Sequence, residues 1–180
     1  MEVIFNVRNA YLRKYLEYIF EQRDGKLLIS RTTDFGRLCI SHLHRSSKPV
    51  SIKKSEHAVV FQLPNSGNIP QVAQRSWLYY DKFDTQRLND ALYAESNLDF
   101  RVYYLSGVEC GFLKKDIINS YIESRRLFFD SFDSLKKRSF RYDQNSIEKT
   151  RKHLSEKIKY TNKKITDKAI IDIKAYISKK

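Results

Sequence analysis

The chain has 180 residues, a formal net charge of +13 at pH 7, and 41% hydrophobic and 13% aromatic residues. This composition predicts a packed core and excludes a disordered chain. With only 5 Gly and 3 Pro, an all-β fold rich in tight turns is disfavoured, and the lack of a long apolar run predicts no membrane span. The basic balance favours a polyanionic partner over a small acidic substrate.

The cysteines and the N-terminal residues bear on localisation. Cys39 and Cys110 lie far apart in the sequence and match no disulfide framework, which is typical of reduced thiols. The N-terminal residues lack the pattern of a signal peptide. We therefore expect a cytoplasmic protein, associated with the nucleoid if it binds DNA.

Residues 1–64 combine short strand patterns with amphipathic helical patterns, which predicts a small α+β module. Cap and turn residues separate these patterns. The predicted elements, in chain order, are a strand over 3–7, a helix over 10–22 capped by Asn9, an Asp24-Gly25 turn, a strand over 27–29, a helix capped by Thr33 or Asp34, and a strand over 58–63.

A linker and a helical domain are predicted next. Residues 65–74 follow Pro64, contain Gly67 and Pro70, and form the predicted linker. A helical domain is predicted over 75–142. An apolar repeat of 3.6 residues favours a helix over about 85–106, ended by Gly107 at its C′ position. Residues 100–104 are rich in aromatics and would also fit a strand.

Two short helices in tandem are predicted inside this domain. The first covers 113–126, the chain breaks at 127–130, and the second helix covers 131–142. A basic, exposed second helix is typical of a helix-turn-helix, in which that helix enters the major groove of DNA. The candidate nucleic-acid-binding residues on it are Lys136, Lys137, Arg138 and Arg141.

Residues 107–142 resemble small helix-turn-helix regulators of phages and mobile elements, such as the Mor type. The likeness lies in an apolar helix, a turn, and then Phe-Asp-Ser-Leu-Lys-Lys-Arg-Ser-Phe-Arg. It implies that the second helix is the recognition helix. The connection is longer than the compact turn of the prototype and holds no glycine, so we expect a looser tri-helical variant.

Most of the net charge lies in the C-terminal quarter. From Ser134 to Lys180 there are 15 Lys and Arg against 5 Asp and Glu, a net charge of +10. Clustered cations release counterions condensed on a phosphate backbone, so this asymmetry favours nucleic acid as a partner. The candidate contacts here are Lys149, Arg151 and Lys152.

Helical periodicity also runs through this quarter. Helices over 146–160 and 166–178, separated by a break at 160–162, predict a basic amphipathic helical hairpin over 143–180. A thin apolar stripe follows both helices. It is expected to pack on the preceding domain or on a second copy of the chain, as a homodimer.

No motif of a catalytic, cofactor or metal site is recognised, so we expect no enzyme activity, no cofactor and no metal. His42 and His44, with Cys39 nearby, are the one metal-like grouping, but their spacing is not that of a zinc site. Asp81 and Asp84 would hold magnesium only together with further clustered acids, which the sequence does not show.

The leading hypothesis is a non-enzymatic DNA-binding protein of α+β class, a regulator or accessory factor of a phage or mobile element. It would contact duplex DNA through helix 131–142 and the basic C-terminal helices. The alternative is a protein-interaction or assembly module, such as a phage structural or host-targeting factor, whose C-terminal helices dock a protein partner. RNA is a less favoured partner, because no RNP sequence accompanies the many tyrosines.

Overall fold

The computed structural model of the protein describes residues 1–64, 77–128, 131–142 and 159–179. These residues form six helices and six strands, and the strands all lie before residue 80, which confirms the predicted α+β class. Contacts divide the chain into two compact units, Met1–Ala94 (the N-terminal unit) and Glu95–Lys180 (the C-terminal unit).

Four short strands form the main sheet of the N-terminal unit: β1 (Glu2–Phe5), β2 (Gln22–Arg23), β3 (Lys26–Leu28) and β5 (Val59–Gln62). Their spatial order is β1-β5-β3-β2. Neighbouring strands are antiparallel except for the parallel pair β3–β5. Asp24 and Gly25 connect β2 to β3 with φ of 49° and 74°, the left-handed values that a two-residue hairpin turn requires.

The first two helices of this unit begin at predicted caps. Helix α1 spans Ala10–Ile19 and helix α2 spans Asp34–Ser41. In each case the side-chain oxygen of the cap accepts a hydrogen bond from the amide three residues on, at 2.9 Å for Asn9 and 3.0 Å for Thr33. Because the first amides of a helix have no partner inside it, these bonds stabilise the two starts.

A second, two-stranded sheet precedes the longest helix. Strand β4 (His44–Ser46) pairs antiparallel with β6 (Trp77–Tyr79). Helix α3 follows at once and spans Lys82–Glu109. Its first part contributes Leu88 and Leu92 to the apolar core of the N-terminal unit, beside the aromatic rings of β1 and β5.

The predicted division of the chain differs from the observed one. We expected domains over 1–64 and 75–142 with a linker between them, whereas the compact units divide after Ala94. Strand pairing by β6 and core packing by the start of α3 hold residues 77–94 in the N-terminal unit. The predicted linker at 65–74 lies outside the described residues.

Helix α3 covers residues 100–104, so the helical interpretation is confirmed over the strand. The prediction that Gly107 ends the helix is wrong. Gly111 takes the left-handed conformation at φ 78°, and the Phe112 amide donates to the carbonyl oxygen of Gly107 at 3.1 Å, as in a Schellman motif. A Cβ on Gly107 would lie 2.7 Å from Cγ1 of Ile117, so close helix packing explains this glycine.

Three more helices complete the described part of the C-terminal unit. Helix α4 spans Lys114–Ser124, α5 spans Ser131–Ser139, and α6 spans Lys159–Ser178. Helix α4 packs against both α5 and α6. The fully or nearly fully buried apolar side chains of this unit include Phe100, Tyr103, Ile117, Ile118, Tyr121, Leu135, Ala169 and Ile173.

Only the second part of the predicted helical hairpin lies within the described residues. Helix α6 runs without interruption through residues 160–162, so the predicted break there is wrong. Thr and Asn cost less than about 0.7 kcal/mol each in a helix relative to Ala, and no Gly or Pro is present to end it. Most of the predicted helix 146–160 lies outside the described residues. Ala169 and Ile173 of α6 are completely buried within this chain, so their burial does not require a second copy.

Candidate functional site

Helix α5 has a narrow buried face and a broad exposed one. Ser131, Leu135 and Ser139, spaced four residues apart, are its buried residues. Leu135 is completely buried, and Ser139 Oγ bonds back to the carbonyl oxygen of Lys136 at 2.8 Å. A single stripe at this spacing covers one side of a helix, so the remaining circumference faces solvent.

The structure separates the four candidate cations of this region into two groups. Lys136, Lys137 and Arg141 are exposed, and among the described residues their side chains make no ion pair or hydrogen bond. Arg138 is half-buried and donates to Asn97 Oδ1 of α3 at 2.8 Å. We refer to Lys136, Lys137 and Arg141 as the α5 cation cluster. The other candidates, Lys149, Arg151 and Lys152, lie outside the described residues.

The charges of α5 are arranged along its axis. Its first turn carries Asp133 and its last turn carries Lys136, Lys137 and Arg138. This order complements the helix dipole, which is positive at the N-terminus and negative at the C-terminus, so the same charges also stabilise the helix. A recognition helix contacts base edges with its N-terminal residues, and here an acid occupies that end.

The connection between α4 and α5 does not need a glycine. Arg126 takes the left-handed conformation with φ of 52°, and the Leu127 amide donates to the carbonyl oxygen of Ile122 at 2.9 Å. This is the same end motif that closes α3, built here on an arginine. Helices α4 and α5 pack against each other, and the likeness to helix-turn-helix regulators stays a prediction.

A cluster of histidine and aspartate side chains lies in the N-terminal unit. His42 Nδ1 donates to Asp84 Oδ1 at 2.6 Å, and His44 Nε2 donates to Asp84 Oδ2 at 2.6 Å. Asp81 Oδ2 lies 3.8 Å from His44 Nε2. The Asp84 carboxylate is thus held between two imidazoles, and we refer to these four residues as the His–Asp cluster.

Pairing of β4 with β6 brings this cluster together. His44 is the first residue of β4 and lies opposite Tyr79, the last residue of β6. Asp81 then caps α3, accepting at Oδ1 from the Asp84 amide at 2.6 Å. Asp84 therefore occupies the first turn of α3, beside the strand that carries His44. His42 is the C-cap residue of α2, just before β4 begins.

The environment of Asp84 favours its ionised form. The hydrogen bond from His44 is the largest cause that lowers the pKa of Asp84 below its ordinary value, and the bond and charge of His42 act in the same direction. Burial of the side chain opposes them but does not prevail. A negatively charged oxygen pair is therefore present beside His44 and Asp81 at neutral pH.

In the sequence these histidines and acids form two separate pairs, far apart along the chain. His42 and His44 are only two residues apart, but His42 is the C-cap of α2 and His44 begins β4. Asp84 comes from 40 residues beyond His44 along the chain. The one local indication was Asp81, whose spacing to Asp84 suits the start of a helix, but the helix was expected to begin near residue 85.

No protein-family model, curated protein or solved structure matches this chain. Within residues 1–64, 77–128, 131–142 and 159–179, no helix is both long enough and apolar enough to cross a membrane.

Proposed function

We propose that the C-terminal unit binds duplex DNA, and that the α5 cation cluster contacts its phosphates. The observation that carries this proposal is that Lys136, Lys137 and Arg141 are exposed and make no ion pair among the described residues. Uncompensated cations that lie close together along a chain repel one another, and a phosphate backbone relieves that repulsion. Displacement of condensed counterions then supplies the driving force.

The charge of the whole unit supports the same partner. Residues 95–180 hold 20 Lys and Arg against 12 Asp and Glu, a net charge of +8. Phe140, which is 72% exposed, lies in sequence between the cations of α5 and Arg141. An aromatic ring among cations is a common feature of surfaces that bind nucleic acids, since the ring can contact sugars or bases.

The position of the cations favours phosphate contact over base readout. Lys136 and Lys137 lie in the last turn of α5 and Arg141 lies just beyond it, whereas Asp133 lies in the first turn, where a recognition helix would approach base edges. We therefore propose affinity for duplex DNA with weak dependence on its sequence. A regulatory role in a phage or mobile element rests on the sequence resemblance alone and stays a prediction.

The test is a fluorescence-anisotropy titration of labelled duplex DNA at several salt concentrations. The variant combines Lys136→Ala, Lys137→Ala and Arg141→Ala. A matched control combines Lys48→Ala, Lys53→Ala and Lys54→Ala, which removes three exposed cations from the N-terminal unit. Each phosphate contact contributes about 0.9 to the slope of log affinity against log salt, so the α5 variant is expected to lose about 2.7 of it.

An unchanged slope in the α5 variant, or the same loss in the control, would contradict the proposal. Absence of binding at low salt would also do so. Competition with single-stranded DNA and structured RNA then identifies the preferred nucleic acid. Capture of one protein partner that persists after nuclease treatment, without DNA binding, would favour the protein-interaction alternative instead.

A further inference from the structure

The His–Asp cluster plays no part in the proposed DNA contact. His44 Nε2 and one carboxylate oxygen each of Asp81 and Asp84 all lie within 4.8 Å of one another. We propose that these three atoms bind a divalent transition-metal cation, of which Zn²⁺ is the first candidate. Imidazole nitrogen and carboxylate oxygen are both ordinary zinc ligands, and three protein ligands leave a coordination position for water.

The distances are close to those of a bound site. Zinc lies about 2.0–2.2 Å from nitrogen and oxygen ligands, so two tetrahedral ligands are about 3.4 Å apart. The separation of His44 Nε2 from Asp81 Oδ2 is 3.8 Å, and that from Asp84 Oδ2 is 2.6 Å. Small side-chain rotations would therefore bring all three to the cation. The cation would replace the proton that His44 Nε2 donates to Asp84.

His42 has a supporting role in this site. Its Nδ1 donates to Oδ1 of Asp84, whereas His44 donates to Oδ2. The bond from His42 therefore fixes the orientation of the carboxylate. Hydrogen bonds of this kind to a ligating group hold its geometry and tune its basicity. Asp81 is oriented as well, because its other oxygen caps α3.

Charge and exposure both suit a cation. Two carboxylates lie beside the imidazole of His44, and their negative charges favour a cation. The side chains of His44 and Asp81 are 45% and 47% exposed, which provides an entry path from solvent. An imidazole ligand disfavours Mg²⁺ and Ca²⁺, which prefer oxygen ligands, and this selects the transition-metal class.

The competing interpretation is a purely structural network, in which Asp84 joins β4 to α3 through hydrogen bonds alone. Isothermal titration calorimetry separates the two, using the tag-free full-length chain after chelator treatment and dialysis. Titration with ZnCl₂ is expected to show one site per chain, and MgCl₂ is expected to bind much more weakly. Zinc is also expected to raise the melting temperature, since it binds only the folded site.

Three variants test the assigned roles. Asp81→Asn keeps the cap of α3 but removes a charged ligand, so it is expected to weaken zinc binding in a folded protein. His42→Ala removes the supporting bond, and a 10–100-fold loss of affinity is typical of such a change. His44→Ala should lose at least as much. His57→Gln is the matched control, because this histidine lies outside the cluster, and its affinity is expected to be unchanged.

Absence of zinc binding by the unmodified chain would overturn the proposal. Equal zinc affinity in Asp81→Asn and the unmodified chain would overturn it as well, because Asp81 takes part in the cluster only as a ligand and a cap. Circular dichroism of each variant shows whether it is folded, and Asp81→Asn decides the matter if His44→Ala is not.

Discussion

Arg125 and Asp99 form a bidentate ion pair inside the C-terminal unit. Nε and Nη2 of Arg125 donate to the two carboxylate oxygens of Asp99, each at 3.1 Å. The arginine side chain is only 2% exposed. Its guanidinium also lies over the rings of Tyr103 and Tyr121, at 4.9 and 5.1 Å from their centroids, and Nη1 lies 3.4 Å from Asp172 of α6. One side chain thus links α3, α4 and α6.

We expect Arg125→Met to destabilise the C-terminal unit by about 3–5 kcal/mol, because the substitution leaves the carboxylate of Asp99, whose side chain is only 12% exposed, without its counter-charge. Urea unfolding followed by far-UV circular dichroism measures the loss. The neighbouring Arg126 is exposed, so Arg126→Met is the matched control and is expected to change stability by less than about 0.5 kcal/mol.

A double variant shows whether the uncompensated charge of Asp99 causes the loss of stability. Asp99→Asn combined with Arg125→Met removes the uncompensated charge, so it is expected to be less destabilised than Arg125→Met alone. If Arg125→Met unfolds at the same urea concentration as the unmodified chain, the pair does not stabilise the unit.

Local features were predictable from the sequence because they depend on a few consecutive residues. Asn9 and Thr33 cap helices through bonds that span three residues, and the Asp24-Gly25 turn needs only its own two conformations. Gly107 was misinterpreted because glycine serves two purposes that look alike in sequence. It can end a helix, or it can admit a neighbouring side chain, and the second depends on Ile117.

The two candidate sites also differ in how far local sequence predicts them. Local periodicity predicted a basic helix from Ser131 that carries Lys136 and Lys137, but the helix ends at Ser139 and not at residue 142, so Arg141 lies beyond it. The exposure of each cation does not follow from local periodicity, because Arg138 donates to Asn97, which is 41 residues away. The His–Asp cluster depends entirely on the register of β4 with β6, which no local pattern specifies.

The two glycines near the end of α3 are expected to respond differently to the same substitutions. Gly107→Ala would place a Cβ 2.7 Å from Cγ1 of Ile117 and 3.0 Å from Cδ1 of Ile173, and such overpacking costs typically about 1–3 kcal/mol. Gly111→Ala meets no neighbouring atom within 4 Å, but φ of 78° makes an alanine there unfavourable by about 1–2 kcal/mol.

Asparagine distinguishes the two causes, because it tolerates the left-handed conformation but is larger than alanine. Gly111→Asn is therefore expected to be more stable than Gly111→Ala, whereas Gly107→Asn is expected to be less stable than Gly107→Ala. Thermal unfolding of the four variants gives the comparison. The same order at both positions would show that packing and backbone conformation are not separated in this way.

Tyr80 is expected to make the N-terminal unit sensitive to alkaline pH. The ring is 5% exposed, and its hydroxyl donates to the carbonyl oxygen of Cys39 at 3.1 Å. Burial is the main cause that raises the pKa of Tyr80 well above its ordinary value. The unfolded chain releases this proton at about pH 10, so above that pH the stability falls by up to about 1.4 kcal/mol per pH unit.

Tyr80→Phe removes both the hydrogen bond and the ionisable group. At neutral pH the variant is expected to be less stable by about 0.5–1.5 kcal/mol, the usual net contribution of one hydrogen bond. Above pH 10 only the unmodified protein loses the stability that Tyr80 contributes. The difference in free energy of unfolding between the two proteins therefore narrows and then reverses. Urea unfolding followed by the fluorescence of Trp77, which lies in the same unit, measures it at each pH.

Other alkaline titrations, such as those of lysines, occur in both proteins and cancel in the comparison. Tyr93→Phe is the matched control for the loss of a tyrosine hydroxyl, at a ring that is 42% exposed. The stability difference between Tyr80→Phe and the unmodified protein could instead be constant from pH 7 to pH 11. Tyr80 would then ionise as readily in the folded unit as in the unfolded chain. The burial of its hydroxyl against Cys39 would then have no linkage to stability.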